Sequence, residues 1–168
     1  SEDRTHDWFG GCPQSGFLSP YDTYKQTRGK EVIKFAVWRD PVERLVSCYK
    51  YFCLEKWYRH YFHFLDLYRE PTFDHFMMFV RFELDKKCII LQDEHIRRQS
   101  DFYSPDDVDF IVPIKKLDTF LQKYNVPIQY GLKNSTHVDF KLDNEEYINE
   151  IRELYRADYE ILNSTKYI

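Results

Sequence analysis

Apolar residues along the chain alternate between short continuous runs and runs at helical spacing. A largely apolar run from Val32 to Trp38 predicts a buried strand, and a second run from Val108 to Val112 predicts another. Between them, apolar and aromatic residues recur at helical spacing from Val42 through Tyr68, until Pro71 breaks the pattern. The chain therefore alternates strand and helix.

Two further helices are predicted after this break. Thr72 can cap a helix from Phe73 to about Glu83, and a helical stripe of apolar residues predicts a last helix from Glu145 to Leu162. Strands that alternate with helices predict an α/β fold with a parallel sheet, which binds ligands outside the carboxyl ends of its strands. We expect one domain over residues 1–168, with residues 1–30 as an irregular, glycine-containing segment.

The residues after the first predicted strand combine a helix start with an arginine. Asp40 suits the N-cap, Pro41 suits the first helical position, and Glu43 completes a capping box three residues after the cap. Arg39 then lies at the carboxyl end of the strand, beside the positive end of the helix. A guanidinium next to unpaired backbone N–H groups suits a phosphate, although an ordinary capped helix with Arg39 in a surface ion pair has the same pattern.

Ser47 follows two turns later on this helix. At about 100° per residue it falls opposite the apolar stripe, on the side that also carries Arg44 and Tyr51. We therefore expect its hydroxyl to face a groove or solvent, as a second phosphate ligand. The apolar stripe consists of Val42, Leu45, Val46 and Tyr49.

Residues 39–47, Arg-Asp-Pro-Val-Glu-Arg-Leu-Val-Ser, closely resemble the 3′-phosphate-binding segment of carbohydrate sulfotransferases of the Golgi and bacterial type. These enzymes use 3′-phosphoadenosine 5′-phosphosulfate (PAPS), and the resemblance implies that Arg39 and Ser47 hold its 3′-phosphate. It also implies a P-loop-like three-layer fold, in which helices flank a central parallel sheet.

A later segment, Asp93–Ser100, resembles the Asp-Pro-His-Trp-x-Pro-Gln loop near the acceptor in the same family, with Glu94, Ile96 and Arg98 as departures. The resemblance makes His95 the first candidate for the general base that takes the acceptor's proton. Glu94 and His6 are the alternatives for that role, and a loop-shaping or solvated His95 is equally open.

The remaining site predictions also rest on this resemblance, which covers roughly residues 31–163. Arg97, Arg98 and Gln99 are predicted to bind the substrate, with a charged loop surface as the alternative for the two arginines. Lys133 and Asn134 lie in a basic Asn-Ser-Thr loop that touches the nucleotide in the family. The last helix carries an Asp-Tyr pair, as family members do.

One expected part of such an enzyme has no convincing counterpart here. Family members begin with a strand and a Pro-Lys-x-Gly-x-Thr loop that cradles the 5′-phosphosulfate. Residues 10–16, Gly-Gly-Cys-Pro-Gln-Ser-Gly, lack the lysine and follow no apolar strand. We therefore expect the first strand and this loop to be missing from the chain as given.

Composition limits the alternatives. The net charge of −4 argues against general nucleic-acid binding, while a local basic cleft suffices for a sulfonucleotide. The four cysteines show no Cys-x-x-Cys pair and no metal spacing, so free thiols and a site without metal are expected. The compartment stays open between a bacterial cytoplasm and a Golgi lumen with the anchor lost, and the oligomeric state is open too.

Three functions remain at this stage. The first is sulfuryl transfer from PAPS to a carbohydrate hydroxyl, so that the partners are a sulfonucleotide and a glycan. The second is a non-catalytic relative that binds a nucleotide or an anionic glycan. The third, a kinase-like enzyme, requires a Gly-Lys-Ser/Thr loop, which the sequence does not contain.

Overall fold

The structure is a computed structural model that describes residues 28–30, 32–55, 68, 70–126 and 138–168. The chain groups into two compact units, Ser1–Lys34 and Phe35–Ile168. Only residues 28–30 and 32–34 of the first unit belong to the described part, and every element below lies in the second unit. The expectation of a single domain over the whole chain stays a prediction.

Helices and strands alternate along the second unit. Its longer described elements are β1 (Phe35–Trp38), α1 (Pro41–Tyr49), a π-helical turn (Lys50–Leu54), α2 (Phe73–Leu84), β2 (Phe110–Pro113), α3 (Leu117–Lys123), α4 (Glu145–Leu154) and α5 (Arg156–Glu160). Short 3₁₀ turns occupy Ile89–Leu91, Gln99–Asp101, Pro105–Asp107, Ile114–Lys116 and Ile161–Asn163.

The sheet is small and parallel. β1 pairs with β2 from Phe35 opposite Phe110 to Trp38 opposite Pro113, and Tyr167 forms a parallel bridge with Ile111 on β2. The predicted α/β class with a parallel sheet is confirmed, but the described residues supply only two strands. The full three-layer architecture therefore stays a prediction.

The predicted element boundaries need correction at several places. Strand β2 covers Phe110–Pro113 rather than residues 108–112. Strand β1 begins at Phe35 rather than Val32, and α1 ends at Tyr49, where the chain continues into the π-helical turn. The Thr72 cap is confirmed: its hydroxyl accepts from the His75 backbone N–H at 3.4 Å, and the His75 ring accepts from the Thr72 N–H at 3.1 Å.

The predicted last helix is divided in two. Tyr155 leaves the helical conformation at φ −109° and ψ 24°, which ends α4 and begins α5. Its side chain is fully buried, and its hydroxyl donates a 2.5 Å hydrogen bond to the Ile96 carbonyl. The helical spacing of apolar residues could not predict this break, because the carbonyl that Tyr155 contacts lies 59 residues away in the sequence.

Two apolar clusters hold the elements together. The larger joins α1, the π-helical turn, α2 and α4, and the smaller lies on the sheet. The larger includes Leu45, Tyr49, Phe52, Phe76, Met77, Val80, Ile96 and Ile151, and the smaller Trp38, Ile111 and Ile161. Leu45 and Tyr49 of the predicted α1 stripe are buried, and Val42 and Val46 are half-buried. The stripe therefore faces the core, as predicted.

Cysteine state and membrane-spanning potential can be stated for the described ranges. Cys48, Cys53 and Cys88 form no disulfide; Cys53 is buried, Cys48 is half-buried and Cys88 is exposed, and Cys12 lies outside those ranges. In the part of the chain that the structure describes, no helix is both long and apolar enough to cross a membrane.

Candidate functional site

Asp40 closes the start of α1 more completely than the sequence suggested. Its Oδ1 accepts from the N–H groups of Val42 at 2.9 Å and Glu43 at 3.1 Å, and its Oδ2 accepts from the Tyr159 hydroxyl at 3.1 Å. The predicted N-cap is confirmed. The prediction of unpaired N–H groups for a phosphate is wrong, because the cap carboxylate already uses those donors.

The other hydrogen bond of the predicted capping box, from the Asp40 N–H to the Glu43 carboxylate, is absent. The Glu43 carboxylate accepts instead from the ammonium of Lys115 at 2.6 Å, and both side chains are well exposed. The ammonium is a charged partner for the carboxylate, whereas the helix-start N–H is neutral. The anion-binding capacity at this point must therefore come from side chains.

Arg39 has a fixed backbone and an uncommitted side chain. Its N–H donates to Gln99 Oε1 at 2.9 Å, and its carbonyl accepts from Gln99 Nε2 at 2.8 Å. The half-buried guanidinium makes no hydrogen bond or ion pair with the described residues. A guanidinium on a held backbone, with its donors available, suits an anionic ligand.

Ser47 is half-buried on α1 and makes no side-chain hydrogen bond to the residues described. Arg44, three residues earlier, and Cys48, the next residue, both contact the carbonyls of the loop around His95. Residues three or four apart share a helix face, so Ser47 borders the side of α1 that meets this loop. Its position at a groove stays a prediction.

Arg44, on the same side of α1 as Ser47, is engaged by protein groups. Its side chain is only 14% exposed, and its Nη2 donates to the Arg97 carbonyl at 2.6 Å and weakly to that of Ile96 at 3.4 Å. The guanidinium also lies 5.3 Å above the ring of Tyr155. Arg44 therefore ties α1 to the loop through Nη2, while its buried Nε makes no hydrogen bond to the described residues.

Asp158 on α5 is the buried counterpart of Arg44. Its side chain is fully buried, and its two oxygens accept from the N–H groups of Gln99 and Ser100, each at 2.9 Å. The Arg44 guanidinium lies 3.9 Å away. We call Arg44, Gln99, Tyr155 and Asp158 the buried polar cluster; together they join α1, the loop and the last helices.

The three predicted substrate-binding residues differ in their surroundings. Arg97 is 2% exposed and donates to the Gln92 carbonyl at 2.8 Å, and Gln99 is 7% exposed with its amide bonded to protein groups. Burial lowers the pKa of Arg97, against the opposing charges of Asp101 and other acids. Arg98 is half-buried and donates its Nε to the Leu154 carbonyl at 2.8 Å. The geometry favours supporting roles for Arg97 and Gln99.

His95 is held by Asp93. Its backbone N–H donates to Asp93 Oδ1 at 2.9 Å, and its Nδ1 lies 3.2 Å from the same oxygen. That contact favours the tautomer with the proton on Nδ1, which leaves Nε2 as the basic nitrogen. The imidazole is 39% exposed and stands edge-on to Phe52 at 5.2 Å.

The electrostatics of His95 also follow from Asp93. Burial is the largest single influence on the pKa of His95 and lowers it, but the hydrogen bond and charge of Asp93, with the charge of Glu94, raise it above its ordinary value. Cys48 donates weakly to the His95 carbonyl at 3.7 Å, and burial raises the pKa of this thiol to about 11. The loop therefore rests on a neutral thiol.

The other predicted site residues can be placed only in part. Glu94 is half-buried beside His95. His6, Lys133 and Asn134 lie outside the described residues, so their roles stay predictions. Over the described ranges, no group of three or more His, Cys, Asp or Glu side chains is arranged to hold a metal ion.

An open cleft of about 430 Å³ borders the buried polar cluster. Arg44 and Gln99 contribute to its wall, together with aromatic and apolar side chains of β1 and the following loop. The hydroxyl of Tyr103 is buried there without a hydrogen bond to the described residues, and burial raises its pKa to about 12. The phenol therefore stays protonated at neutral pH.

Sequence reasoning gave no individual role to Asp93 or Asp158. Asp93 carries a local signal, because an aspartate two residues before another residue can accept that residue's N–H. Asp158 had only the family's Asp-Tyr pair as a signal. Its partners lie 58 and 59 residues earlier in the chain, which periodicity cannot show.

Comparison with known proteins gives one match. The family model described as "Sulfotransferase family" matches residues 4–125, which is more than half of the chain. The matched span includes Arg39, Ser47 and the loop around His95, and it ends before α4 and α5. No curated protein and no solved structure matches the chain.

Proposed function

Since the chain belongs to the sulfotransferase family, we propose that it transfers a sulfuryl group from PAPS to a hydroxyl of a carbohydrate acceptor. The main support for the proposal is a contrast between bonded and unbonded side chains within residues 39–47. In this segment the cap carboxylate and Arg44 are bonded to protein groups, while the Arg39 guanidinium and the Ser47 hydroxyl have no partner among the described residues.

These two side chains suit the 3′-phosphate of PAPS. The Arg39 guanidinium offers parallel N–H donors to two phosphate oxygens, and the Ser47 hydroxyl offers one further donor. The fixed Arg39 backbone lowers the ordering cost of binding. Lys133 and Asn134 belong to the same proposal as nucleotide contacts, from the resemblance of their loop.

The chemistry assigned to the loop is proton removal. In the proposed step, the acceptor hydroxyl oxygen bonds to sulfur as the bond from sulfur to the nucleotide's phosphate oxygen breaks, and adenosine 3′,5′-bisphosphate leaves. His95 Nε2 takes the hydroxyl proton, while Asp93 orients the imidazole through Nδ1. Glu94 and His6 remain the alternative bases.

The acceptor side of the proposal rests on Arg98 most directly. Among the described residues only its Nε is engaged, with the Leu154 carbonyl, so its terminal nitrogens can donate to an anionic sugar. Arg97 and Gln99 were predicted to touch the substrate as well, but their burial favours support of the loop. The P-loop-like three-layer fold remains part of the proposal.

A non-catalytic module that binds a nucleotide or an anionic glycan is the second candidate. The observation that favours it is the engagement of the N–H groups of Val42 and Glu43 by Asp40, which removes a backbone anion site. Such a module keeps nucleotide affinity and lacks transfer.

The test combines binding and transfer. Titration of the purified chain with adenosine 3′,5′-bisphosphate is expected to show micromolar or tighter binding, and labelled PAPS is expected to pass its sulfuryl group to a glycan in a panel. Arg81→Ala is the matched control, because this arginine is also partly exposed but pairs with Glu150 on α4. Binding without transfer supports the second candidate. Absence of nucleotide binding overturns the transferase and the nucleotide-binding form of the second candidate.

A further inference from the structure

Gln99 occupies an unusual position for a buried side chain. Its carboxamide pairs with both backbone polar groups of Arg39, the residue that follows the end of β1. In a strand the N–H and C=O of one residue point to the same side, so a planar amide can bond both, as a neighbouring strand would. The side chain thus continues the pairing of β1 by one residue.

The backbone of Gln99 is fixed from the opposite direction. Its N–H donates to Asp158 Oδ2 at 2.9 Å, and its Nε2 lies 3.4 Å from the same oxygen. The backbone carbonyl of Asp158 in turn accepts from the indole N–H of Trp38, the last residue of β1, at 3.0 Å. Gln99 is therefore held between the strand end and α5.

Gln99 lies near the end of the segment Asp93–Ser100, which carries His95. Arg44 and Tyr155 hold the Ile96 and Arg97 carbonyls of that loop, and Gln99 connects the loop to Arg39. One side chain therefore links the proposed 3′-phosphate ligand to the proposed acceptor loop.

We propose that Gln99 is a positioning residue: its carboxamide holds the Arg39 backbone so that the guanidinium is presented to the nucleotide's 3′-phosphate in a fixed place. This inference rests on the proposed function and replaces direct substrate contact by Gln99. Nucleotide affinity then depends on a residue that does not touch the nucleotide, because a displaced guanidinium no longer meets two phosphate oxygens together.

Other side chains do not reproduce this pairing. Asparagine is shorter by one methylene, about 1.5 Å, and cannot reach both groups of Arg39 from the same backbone position. Methionine has similar length and bulk but neither donor nor acceptor. Glutamate reproduces the pairing only when protonated, because its ionised form has no donor for the Arg39 carbonyl.

The glutamate variant makes a pH-dependent test possible. In Gln99→Glu, burial and the negative charge of Asp158 raise the pKa of the new carboxyl, while the Arg44 guanidinium opposes this shift. The Tyr103 phenol on the shared cleft stays protonated. The pKa of His95 is raised by Asp93, and the nucleotide's phosphates titrate as well, so the wild-type protein at the same pH is the reference.

The experiment is titration with adenosine 3′,5′-bisphosphate at about pH 7.5 and about pH 5.5, with circular dichroism to check folding. We expect Gln99→Glu to bind about tenfold more weakly than wild type at the higher pH and within about threefold of it at the lower pH. Gln99→Met should bind about tenfold more weakly at both values.

The outcomes separate this inference from the proposed function. Wild-type affinity in folded Gln99→Glu and Gln99→Met at both pH values overturns the positioning role alone. Equal weakening of both variants at both pH values also overturns it, because protonation then fails to restore the pairing. Unfolding of both variants would show that Gln99 maintains the fold rather than the site. Absence of binding by the wild type overturns the proposed function and this inference with it.

Discussion

Arg39 and Arg44 lie five residues apart around the start of one helix, and their surroundings differ completely. Arg44 is 14% exposed, donates to loop carbonyls, and lies over the ring of Tyr155 beside Asp158. The half-buried Arg39 has its backbone bonded to Gln99 and its guanidinium without a partner in the described ranges. Arg44 donates its Nη2 to main-chain carbonyls of the loop, and its Nε is buried without a hydrogen bond to the described residues. The Arg39 guanidinium, by contrast, is half-buried and keeps its donors for a ligand.

The polar groups in and around residues 39–47 therefore divide between folding and binding. Arg44, Tyr155 and Asp158 bond mainly to buried protein groups, so the loss of any of these three side chains should be seen in stability. The Arg39 guanidinium and the Ser47 hydroxyl have no partner in the described ranges, and His95 is the proposed base. Their loss should be seen in binding or turnover while the fold persists.

The largest expected effect concerns His95 on the open side. His95→Ala should lower sulfuryl transfer by about 10²- to 10⁴-fold, because the general base is lost, with nucleotide affinity nearly unchanged. Transfer of label from PAPS measures the rate. His75→Ala is the matched control, since this histidine caps α2 and should affect stability only. An unchanged rate in His95→Ala would move the base to Glu94 or His6.

The next effect concerns the centre of the buried polar cluster. Asp158→Ala should lower the free energy of unfolding by about 3–5 kcal/mol, because two backbone N–H groups and the Arg44 guanidinium lose a buried acceptor. Denaturant titration measures it, and Asp158→Asn should lose less because its amide oxygen still accepts. Exposed Asp106→Ala serves as the control. Equal stability of the Asp158 and Asp106 variants would contradict the assignment of Asp158 to fold stability.

A smaller effect is expected for Ser47. Ser47→Ala should weaken binding of adenosine 3′,5′-bisphosphate by about three- to tenfold, which corresponds to about one hydrogen bond, without loss of stability. Calorimetric titration measures the affinity. Ser47→Thr should retain binding because it keeps the hydroxyl, so equal affinities in the alanine and wild-type proteins would exclude Ser47 as a ligand.

The smallest effect is a shift in pH dependence. His95 must be neutral to accept a proton, so transfer should rise with pH through its raised pKa. Asp93→Asn removes the carboxylate charge and lowers the pKa of His95, so the acid limb of the rate profile should move to lower pH. An unmoved limb would mean that another group titrates.

The free energy of unfolding should also depend on pH through His95. Because the pKa of His95 is raised in the folded state, the protonated imidazole contributes stability below its ordinary pKa. That contribution disappears as the pH rises through the folded-state value. The stability difference between wild type and Asp93→Asn should therefore be larger in acid than above neutrality, as denaturant titrations at several pH values would show.

Local features of the site could be predicted from the sequence, and distant contacts could not. The Asp40 cap follows from neighbours within a few residues and agrees with the structure. The role of Arg44 depends on carbonyls 52 and 53 residues away, and the break at Tyr155 depends on Ile96. Helical periodicity carries no information about such partners.

The fold shows the same limit. A parallel α/β arrangement follows from the alternation of strands and helices, and the described sheet agrees with it. The exact starts of β1 and α5 depend on which residues find backbone partners. For Val32 and Ile33, apolar character predicted a strand, yet both are well exposed and precede the pairing with β2.

The most direct test of the roles of Arg39 and Arg44 compares Arg39→Ala with Arg44→Ala in two measurements. These are titration with adenosine 3′,5′-bisphosphate and denaturant unfolding. We expect Arg39→Ala to lose about 100-fold in affinity with stability within about 0.5 kcal/mol of wild type. Arg44→Ala should lose about 3 kcal/mol of stability. Wild-type affinity in Arg39→Ala would contradict the assignment of the 3′-phosphate site.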